Sequence, residues 1–176
     1  MFKKILVANR GEIAVRIIRA CKELSIPTVA IHSDVDADSM HVRLADESIC
    51  VGSHKPQNSY LNIASIMSAA DVTGADAIHP GYGFLSENYR FAEIVTKSKI
   101  KFIGPSAEIM KKMGDKIEAK KTAKKLGLPI IEGSEGVINS LDEAKKICSN
   151  IGYPVLIKAS AGGGGKGMRL VKNEKE

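Results

Sequence analysis

The 176-residue chain contains no tryptophan, only four tyrosines and four phenylalanines, and only three cysteines. Single-stranded nucleic-acid binders need aromatic stacking platforms, so this shortage disfavours that class. Cys21, Cys50 and Cys148 are odd in number and far apart, so they indicate no disulfide framework or metal cluster, and a reduced, cytoplasmic setting is the simplest interpretation. No apolar run approaches the roughly 18 residues that span a bilayer, so we expect no membrane partner.

The net charge of +6 comes mainly from one segment. Residues 97–125 hold ten lysines against three acidic residues, whereas the 96 residues before them carry a small negative excess. Nucleic-acid binders add a groove-reading helix or aromatic platforms to such a patch. We therefore expect no nucleic-acid partner, and interpret the segment as a solvated helix face or a phosphate site.

Short β-rich runs alternate with amphipathic stretches over the first hundred residues. This rhythm is typical of βαβ units and predicts an α/β fold, a Rossmann-like parallel sheet with helices on both faces. Strands are predicted at 4–8, 28–31, 48–51, 77–79 and 101–103, and helices at 11–24, 60–70 and 85–96.

The rhythm changes after Pro105, and we predict a domain boundary near residue 112, giving domains 1–112 and 113–176. A lysine-rich helix is predicted over 107–126 with a break near Gly114. A short strand at 129–131 is followed by a capping box of Ser140 and Glu143 that opens a helix to residue 150. Strands are predicted at 153–158 and 168–171, and this second unit is expected to be incomplete.

Five of the eight residues in 161–168 are glycine, and each costs about 0.5–1 kcal/mol to order relative to alanine. Residues 162–167 are therefore expected to be mobile without a ligand, and their backbone N–H groups could cradle phosphate oxygens. Lys158 ends the preceding apolar strand and could direct its ammonium at the same phosphates. The alternatives are a wide turn between two strands and a merely exposed strand-end lysine.

Two known phosphate motifs fit poorly. The P-loop requires Ser or Thr where this chain has Gly167. The run Gly81-Tyr82-Gly83 stands between a strand and a helix, but Ser86 replaces the third glycine of the dinucleotide fingerprint. A dinucleotide oxidoreductase is therefore a distant alternative.

Lysines recur every fourth residue after the boundary, and on a continuous helix they would form a stripe of like charge. The stripe is either solvated or partly occupied by an anion; it comprises Lys112, Lys116, Lys120 and Lys124. The four histidines show no metal-ligand spacing, and His79, which precedes Pro80, is interpreted as structural.

Five ordered blocks of the sequence closely resemble biotin carboxylases. They are Ile5-Leu6-Val7-Ala8-Asn9-Arg10-Gly11-Glu12-Ile13-Ala14, the run from Ala77 to Asn88, Phe102-Ile103-Gly104-Pro105, Met113-Gly114-Asp115-Lys116, and the run from Tyr153 to Met168. The resemblance covers essentially the whole chain.

The resemblance implies an ATP-grasp ligase that uses MgATP to activate bicarbonate as carboxyphosphate and then carboxylates N1 of biotin on a carrier protein. It also implies that the first domain is the Rossmann-like domain that precedes the ATP-grasp domain, which begins in the second. The implied partners are a biotin carboxyl carrier protein, carboxyltransferase subunits and a second copy in a homodimer. Acetyl-CoA carboxylase, and hence fatty acid biosynthesis, is the leading expectation, with pyruvate and propionyl-CoA carboxylases as alternatives.

By position, the resemblance assigns roles to eight residues of this chain. Nucleotide contacts fall on Lys116, Lys158, Gly164 and Gly165, the biotin pocket on Tyr82 and Gly83, and the dimer interface on Arg19 and Glu23.

Family members are about 450 residues long, and their Mg²⁺ ligands and catalytic residues match positions beyond Glu176. We therefore expect a fragment that does not carboxylate biotin alone, with a truncated assembly module as the non-catalytic alternative. A start at the first strand, without a transit peptide, favours a cytoplasmic prokaryotic-type subunit.

Overall fold

A computed structural model describes residues 1–131, 133–134, 136–159 and 167–176, apart from the side chains of residues 116 and 117. The chain divides into two compact units, residues 1–111 and residues 112–176. In the part of the chain so described, every helix is too short or too polar to cross a membrane.

The first unit is built on a five-stranded parallel sheet with the order β3-β2-β1-β4-β5. The strands are β1 (Ile5–Val7), β2 (Thr28–Ser33), β3 (Glu47–Gly52), β4 (Ala77–His79) and β5 (Lys101–Phe102). The three central strands are almost wholly buried, as their uninterrupted apolar runs predict for a parallel sheet. The predicted α/β fold is confirmed.

Alternate residues of these strands supply two separate apolar clusters because successive side chains point to opposite faces of a sheet. Leu6 and Ile31 join one cluster, whereas Ile5 and Ala30 join the other. The first face is covered by α3 (Ile63–Thr73) and α4 (Tyr89–Lys97), and the second by α1 (Gly11–Glu23). The helices therefore pack on both faces, as predicted.

Two helices begin three or four residues later than their apolar periodicity predicts. Asn62 and Asn88 accept hydrogen bonds from the backbone N–H of Ser65 and Phe91, and these caps fix the first turns of α3 and α4. Tyr60 therefore precedes α3 and is buried. The short helix α2 (Met40–Leu44) was not predicted.

The second unit contains most of the lysine-rich stretch, which forms α5 (Ala107–Gly114) and α6 (Lys116–Lys125). Asp115 accepts a hydrogen bond from the Glu118 N–H and so caps α6, which explains the predicted break. Lys112 thus lies on a different helix from the other lysines of the stripe. Residues 129–131 form no strand, so that prediction is wrong.

The rest of the second unit comprises α7 (Leu141–Ile151) and an antiparallel hairpin of β6 (Val155–Lys158) and β7 (Met168–Val171). The Ser140 hydroxyl accepts a hydrogen bond from the Glu143 N–H, as predicted. The Glu143 carboxylate accepts a hydrogen bond from the Asn139 N–H rather than from the Ser140 N–H. Among the described residues of this unit, Val171 is the only hydrophobic side chain that is buried. Most of its apolar surface is therefore open.

Candidate functional site

The carboxyl edge of the parallel sheet collects the loops that follow β1, β2 and β4. After β1 the chain continues to β2, which lies on one side of β1 in the sheet. After β4 it continues to β5, which lies on the opposite side, so the strand order reverses between β1 and β4. Open α/β sheets bind ligands in the crevice at such a switch point. Asn9 follows β1 and Tyr82 follows β4, which places the predicted biotin-pocket residue at this crevice.

Asn9 joins the ends of β1 and β4. Its side-chain amide donates to the Pro80 carbonyl at 2.8 Å and to the Tyr82 carbonyl at 2.9 Å. Its side-chain oxygen accepts from the Arg10 N–H at 2.9 Å. One buried side chain therefore satisfies three main-chain groups from two loops.

A polar network lies beside this junction, centred on Asp36. Tyr60 donates its hydroxyl proton to Asp36 over 2.6 Å, and the Ser33 hydroxyl donates over 3.0 Å. Arg10 donates from two nitrogens to the two carboxylate oxygens. Burial raises the pKa of Asp36, but the hydrogen bonds from Arg10, Tyr60 and Ser33 outweigh it and lower that pKa to about 2. Asp36 is therefore ionised at neutral pH.

The network continues into the loop that follows β4. The Tyr60 ring stacks on the Phe84 ring with 5.2 Å between centroids, and the Arg10 guanidinium lies 5.7 Å from the Tyr60 centroid. Phe84 has a φ of +42°, a backbone conformation that residues other than glycine rarely adopt. The stack with Tyr60 helps to hold Phe84 in this conformation. Tyr82 and Gly83, the two residues predicted to line a biotin pocket, lie between Pro80 and Phe84 in this loop.

His79 ends β4 and faces a shallow depression with Glu12, Arg16 and Tyr82. The Gly81 N–H donates to His79 Nδ1 at 3.0 Å, so the neutral ring carries its proton on Nε2. Burial lowers the pKa of His79, which favours this neutral form. This hydrogen bond joins the end of β4 to the loop that follows it.

The second unit places Lys158 at the last position of β6, opposite Met168, where it is exposed. One residue further, the Ala159 N–H donates to the Gly167 carbonyl at 2.9 Å and closes the hairpin stem. The glycine-rich segment connects these two closed ends. Gly164 and Gly165, the predicted mobility of 162–167 and the side chain of Lys116 lie outside the described residues.

Arg19 and Glu23 lie one turn apart on the exposed face of α1, opposite the buried Ala14, Ile18 and Cys21. Both side chains are exposed, as a role in dimerisation requires. Within the described ranges, no cluster of three or more His, Cys, Asp and Glu side chains could hold a metal ion.

Sequence reasoning missed the residues that organise the loop after β4. Asn9 and Phe84 lie in two of the blocks that carry the resemblance, but they were given no role there. Asp36 and Tyr60 lie outside all five blocks, in the connections after β2 and β3.

Comparison with known proteins gives two family matches. Residues 1–110 match the family "Biotin carboxylase, N-terminal domain", and residues 115–176 match "Carbamoyl-phosphate synthase L chain, ATP binding domain".

Full-length relatives point to the same family. The chain is 59% identical over 175 residues to the biotin carboxylase of Haemophilus influenzae, covering 99% of this chain and 39% of that protein. It is 57% identical to the human mitochondrial propionyl-CoA carboxylase alpha chain, covering 99% of this chain and 24% of the relative.

A solved structure that aligns with this chain is the biotin carboxylase domain dimer of Hydrogenobacter thermophilus 2-oxoglutarate carboxylase, in complex with MgADP, ADP and bicarbonate. The TM-score is 0.91 and the sequence identity is 52%. The alignment covers 99% of this chain and 38% of that one. The chain thus spans about two fifths of the Haemophilus influenzae biotin carboxylase and of the Hydrogenobacter thermophilus domain, and about a quarter of the propionyl-CoA carboxylase alpha chain.

Proposed function

The chain belongs to the biotin carboxylase family, and from this we propose that it serves the ATP-dependent carboxylation of biotin on a carrier protein. In this proposal ATP activates bicarbonate as carboxyphosphate, and the carboxyl group then passes to N1 of biotin. The chain supplies the support of the biotin pocket and part of the nucleotide site. The segment 1–112 is the Rossmann-like domain and 113–176 the beginning of the ATP-grasp domain.

The observation that carries the proposal is the closed stem of the β6–β7 hairpin. The Ala159–Gly167 hydrogen bond brings the two ends of the glycine-rich segment together, and Lys158 lies at the base of the connection. Because it is exposed at a strand end, the Lys158 ammonium can approach the phosphate oxygens of a nucleotide. The residues present therefore fit a nucleotide polyphosphate. Gly164, Gly165 and Lys116 are proposed as further nucleotide contacts from their positions in the sequence.

The fit is different for Mg²⁺, which prefers carboxylate and phosphate oxygens in octahedral geometry. The described residues offer no cluster of acidic side chains around Lys158 or elsewhere. They do not fit a magnesium site, and we assign none to them.

For biotin, we propose Tyr82 and Gly83 as part of the pocket. Tyr82 is 78% exposed although it follows a buried strand, so its ring is available to a ligand at the carboxyl edge of the sheet. Gly83 has a φ of +75°, and apart from its chain neighbours no residue has an atom within 4 Å of where a Cβ would stand, so the backbone there is uncovered.

The proposed partners follow from the same premise. Arg19 and Glu23 present opposite charges on one exposed helix face, which suits pairing with a second copy across a two-fold axis. The relatives include a propionyl-CoA and a 2-oxoglutarate enzyme, so the proposal is the biotin half-reaction that they share. Acetyl-CoA carboxylase is the more specific proposal for the assembly, with a biotin carboxyl carrier protein and carboxyltransferase subunits as its other components.

The test is ADP release by a chimaera that joins this chain to the part of the Haemophilus influenzae biotin carboxylase that follows its matching segment. We expect turnover that requires both bicarbonate and biotin. The parent Haemophilus enzyme is the positive control. A folded chimaera that binds MgATP but shows no bicarbonate-dependent turnover would contradict the proposal.

A further inference from the structure

The loop that follows β4 is held at both ends by residues to which the proposed function assigns no role. We propose that Asn9 is a positioning residue that holds the main chain of residues 80–82 so that Tyr82 and Gly83 are presented to biotin. This inference rests on the proposed function, because it takes Tyr82 and Gly83 as the biotin-facing residues.

Asn9 reaches across the crevice with both hydrogens of its amide. They are donated to the carbonyl oxygens of Pro80 and Tyr82, on either side of Gly81, while the Asn9 oxygen is tied to the Arg10 N–H. Asn9 is only 1% exposed, so water does not replace these partners readily. The side chain is thus held between β1 and α1 by the Arg10 N–H, and it in turn fixes the loop.

Gly81 shows how closely the loop approaches Asn9. Its φ is +67°, and a Cβ at this position would lie 2.7 Å from Asn9 Nδ2 and 2.9 Å from Ile13 Cγ2. Such distances are too short for real contacts, so only glycine permits the approach. The Gly81 N–H also donates to His79 Nδ1, which ties the same residue to the end of β4.

The far end of the loop is fixed independently. Phe84 stacks on Tyr60, and the Tyr60 hydroxyl is held by Asp36 and by the Ser33 N–H. Between these two anchors the ring of Tyr82 remains exposed. A fixed main chain that carries an exposed aromatic ring is preorganised for a ligand, and Asn9 provides the anchor nearest to that ring.

The test uses Asn9→Asp, which keeps the shape and the oxygen that accepts from Arg10 but replaces the donating amide with an oxygen. That oxygen then faces two carbonyls. Asn62→Asp is the matched control. The side-chain oxygen of Asn62 accepts a hydrogen bond from the Ser65 N–H, and an aspartate oxygen can accept the same bond. In the 176-residue chain we expect Asn9→Asp to accelerate exchange of the Gly81 amide at least tenfold more than exchange of the β2 amides, which report global unfolding. The Asn62→Asp control should leave the ratio of the two rates unchanged. Equal acceleration at Gly81 and in β2 would show only a loss of global stability and overturns the positioning role.

The functional measurement is made on the chimaera. Asn9→Asp should raise KM for biotin about tenfold or more and leave KM for ATP within twofold. Lowering the pH should shrink the ratio of variant to wild-type KM for biotin, since a protonated carboxyl group can again donate to one carbonyl. A side chain that only stabilises the fold would produce neither the KM split nor this rescue.

The outcomes separate the inference from the proposed function. An unchanged Gly81 exchange rate, or a loosened loop with an unchanged KM for biotin, overturns the positioning role. Absence of biotin-dependent turnover in the unsubstituted chimaera counts against the proposed function instead, and the Gly81 exchange rate then decides whether Asn9 holds the loop. If Asn9→Asp does not fold, Asn9→Ala removes both donated hydrogen bonds without adding a charge and must produce the same selective loosening.

Discussion

The two units of the chain differ in how much of their apolar surface is covered. In the first unit, residues 1–111, both faces of the sheet are packed by helices, and the central strands are buried. In the second unit, residues 112–176, Leu156, Ile157 and Leu170 of the hairpin are each about half exposed. The residues proposed for the biotin pocket thus lie on a packed unit, whereas Lys158, proposed as a nucleotide contact, lies on an open hairpin. Stability and ligand binding should therefore respond to different substitutions in the two units.

The largest expected effect is in amide hydrogen exchange along the 176-residue chain. Amides of β1 should open only with global unfolding, whereas those of β6 belong to a unit with little buried apolar surface. We expect β1 to be protected at least about 1,000-fold more than β6, which corresponds to roughly 4 kcal/mol. Equal protection of the two strands, measured by NMR, would remove the distinction between the units.

Next in size is the substitution Asp36→Asn, which breaks the network that joins three loops of the first unit. Removing one partner of a buried ion pair costs about 3–5 kcal/mol, and we expect about 2–3 kcal/mol because Arg10 is half exposed. Urea unfolding of the first unit measures this loss of stability. Asp38→Asn, in the same turn but exposed, is the control and should change stability by less than about 0.5 kcal/mol. Similar losses for both substitutions would contradict the role of the network.

The same carboxylate predicts a pH dependence of stability. The pKa of Asp36 is about 2 in the folded chain against an ordinary 3.8, so the unfolded chain takes up the proton first as the pH falls. Its contribution, on the order of 2 kcal/mol, is therefore full above about pH 4 and is lost as the pH falls towards 2. The difference in unfolding free energy between wild type and Asp36→Asn should shrink over this interval. A constant difference would show that the Asp36 pKa is not lowered.

The smallest expected effect compares equivalent helix caps in the two units. Asn88→Ala and Ser140→Ala each remove a side chain that caps a first turn, at a cost of about 1 kcal/mol. The loss at Asn88 should appear in cooperative unfolding of the first unit. Loss of the Ser140 cap should instead lower the helicity of α7 without moving the unfolding transition of the first unit. A shift of the main transition by Ser140→Ala would mean that the two units unfold together.

Local features of the fold could be predicted from the sequence, and features made by distant partners could not. The strands of the first unit could be predicted because their apolar runs are uninterrupted. The position of Lys158 at a strand end could be predicted because this lysine ends such a run. The starts of α3 and α4 were misplaced because apolar residues before Asn62 and Asn88 continue the helical pattern. No role could be predicted for Asn9 because its partners at Pro80 and Tyr82 lie more than 70 residues away along the chain. Periodicity carries no information on such contacts.

The central claim is that the open hairpin of the second unit binds nucleotide through Lys158, and MgATP affinity of the chimaera tests it most directly. A charge-assisted hydrogen bond contributes about 1.5–3 kcal/mol, so Lys158→Ala should weaken binding about ten- to more than a hundredfold. The control is Lys172→Ala, since Lys172 is an exposed lysine just beyond the opposite end of the same hairpin. We expect that variant to bind within about twofold of wild type. Equal weakening by the two substitutions, or none by Lys158→Ala, would contradict the account.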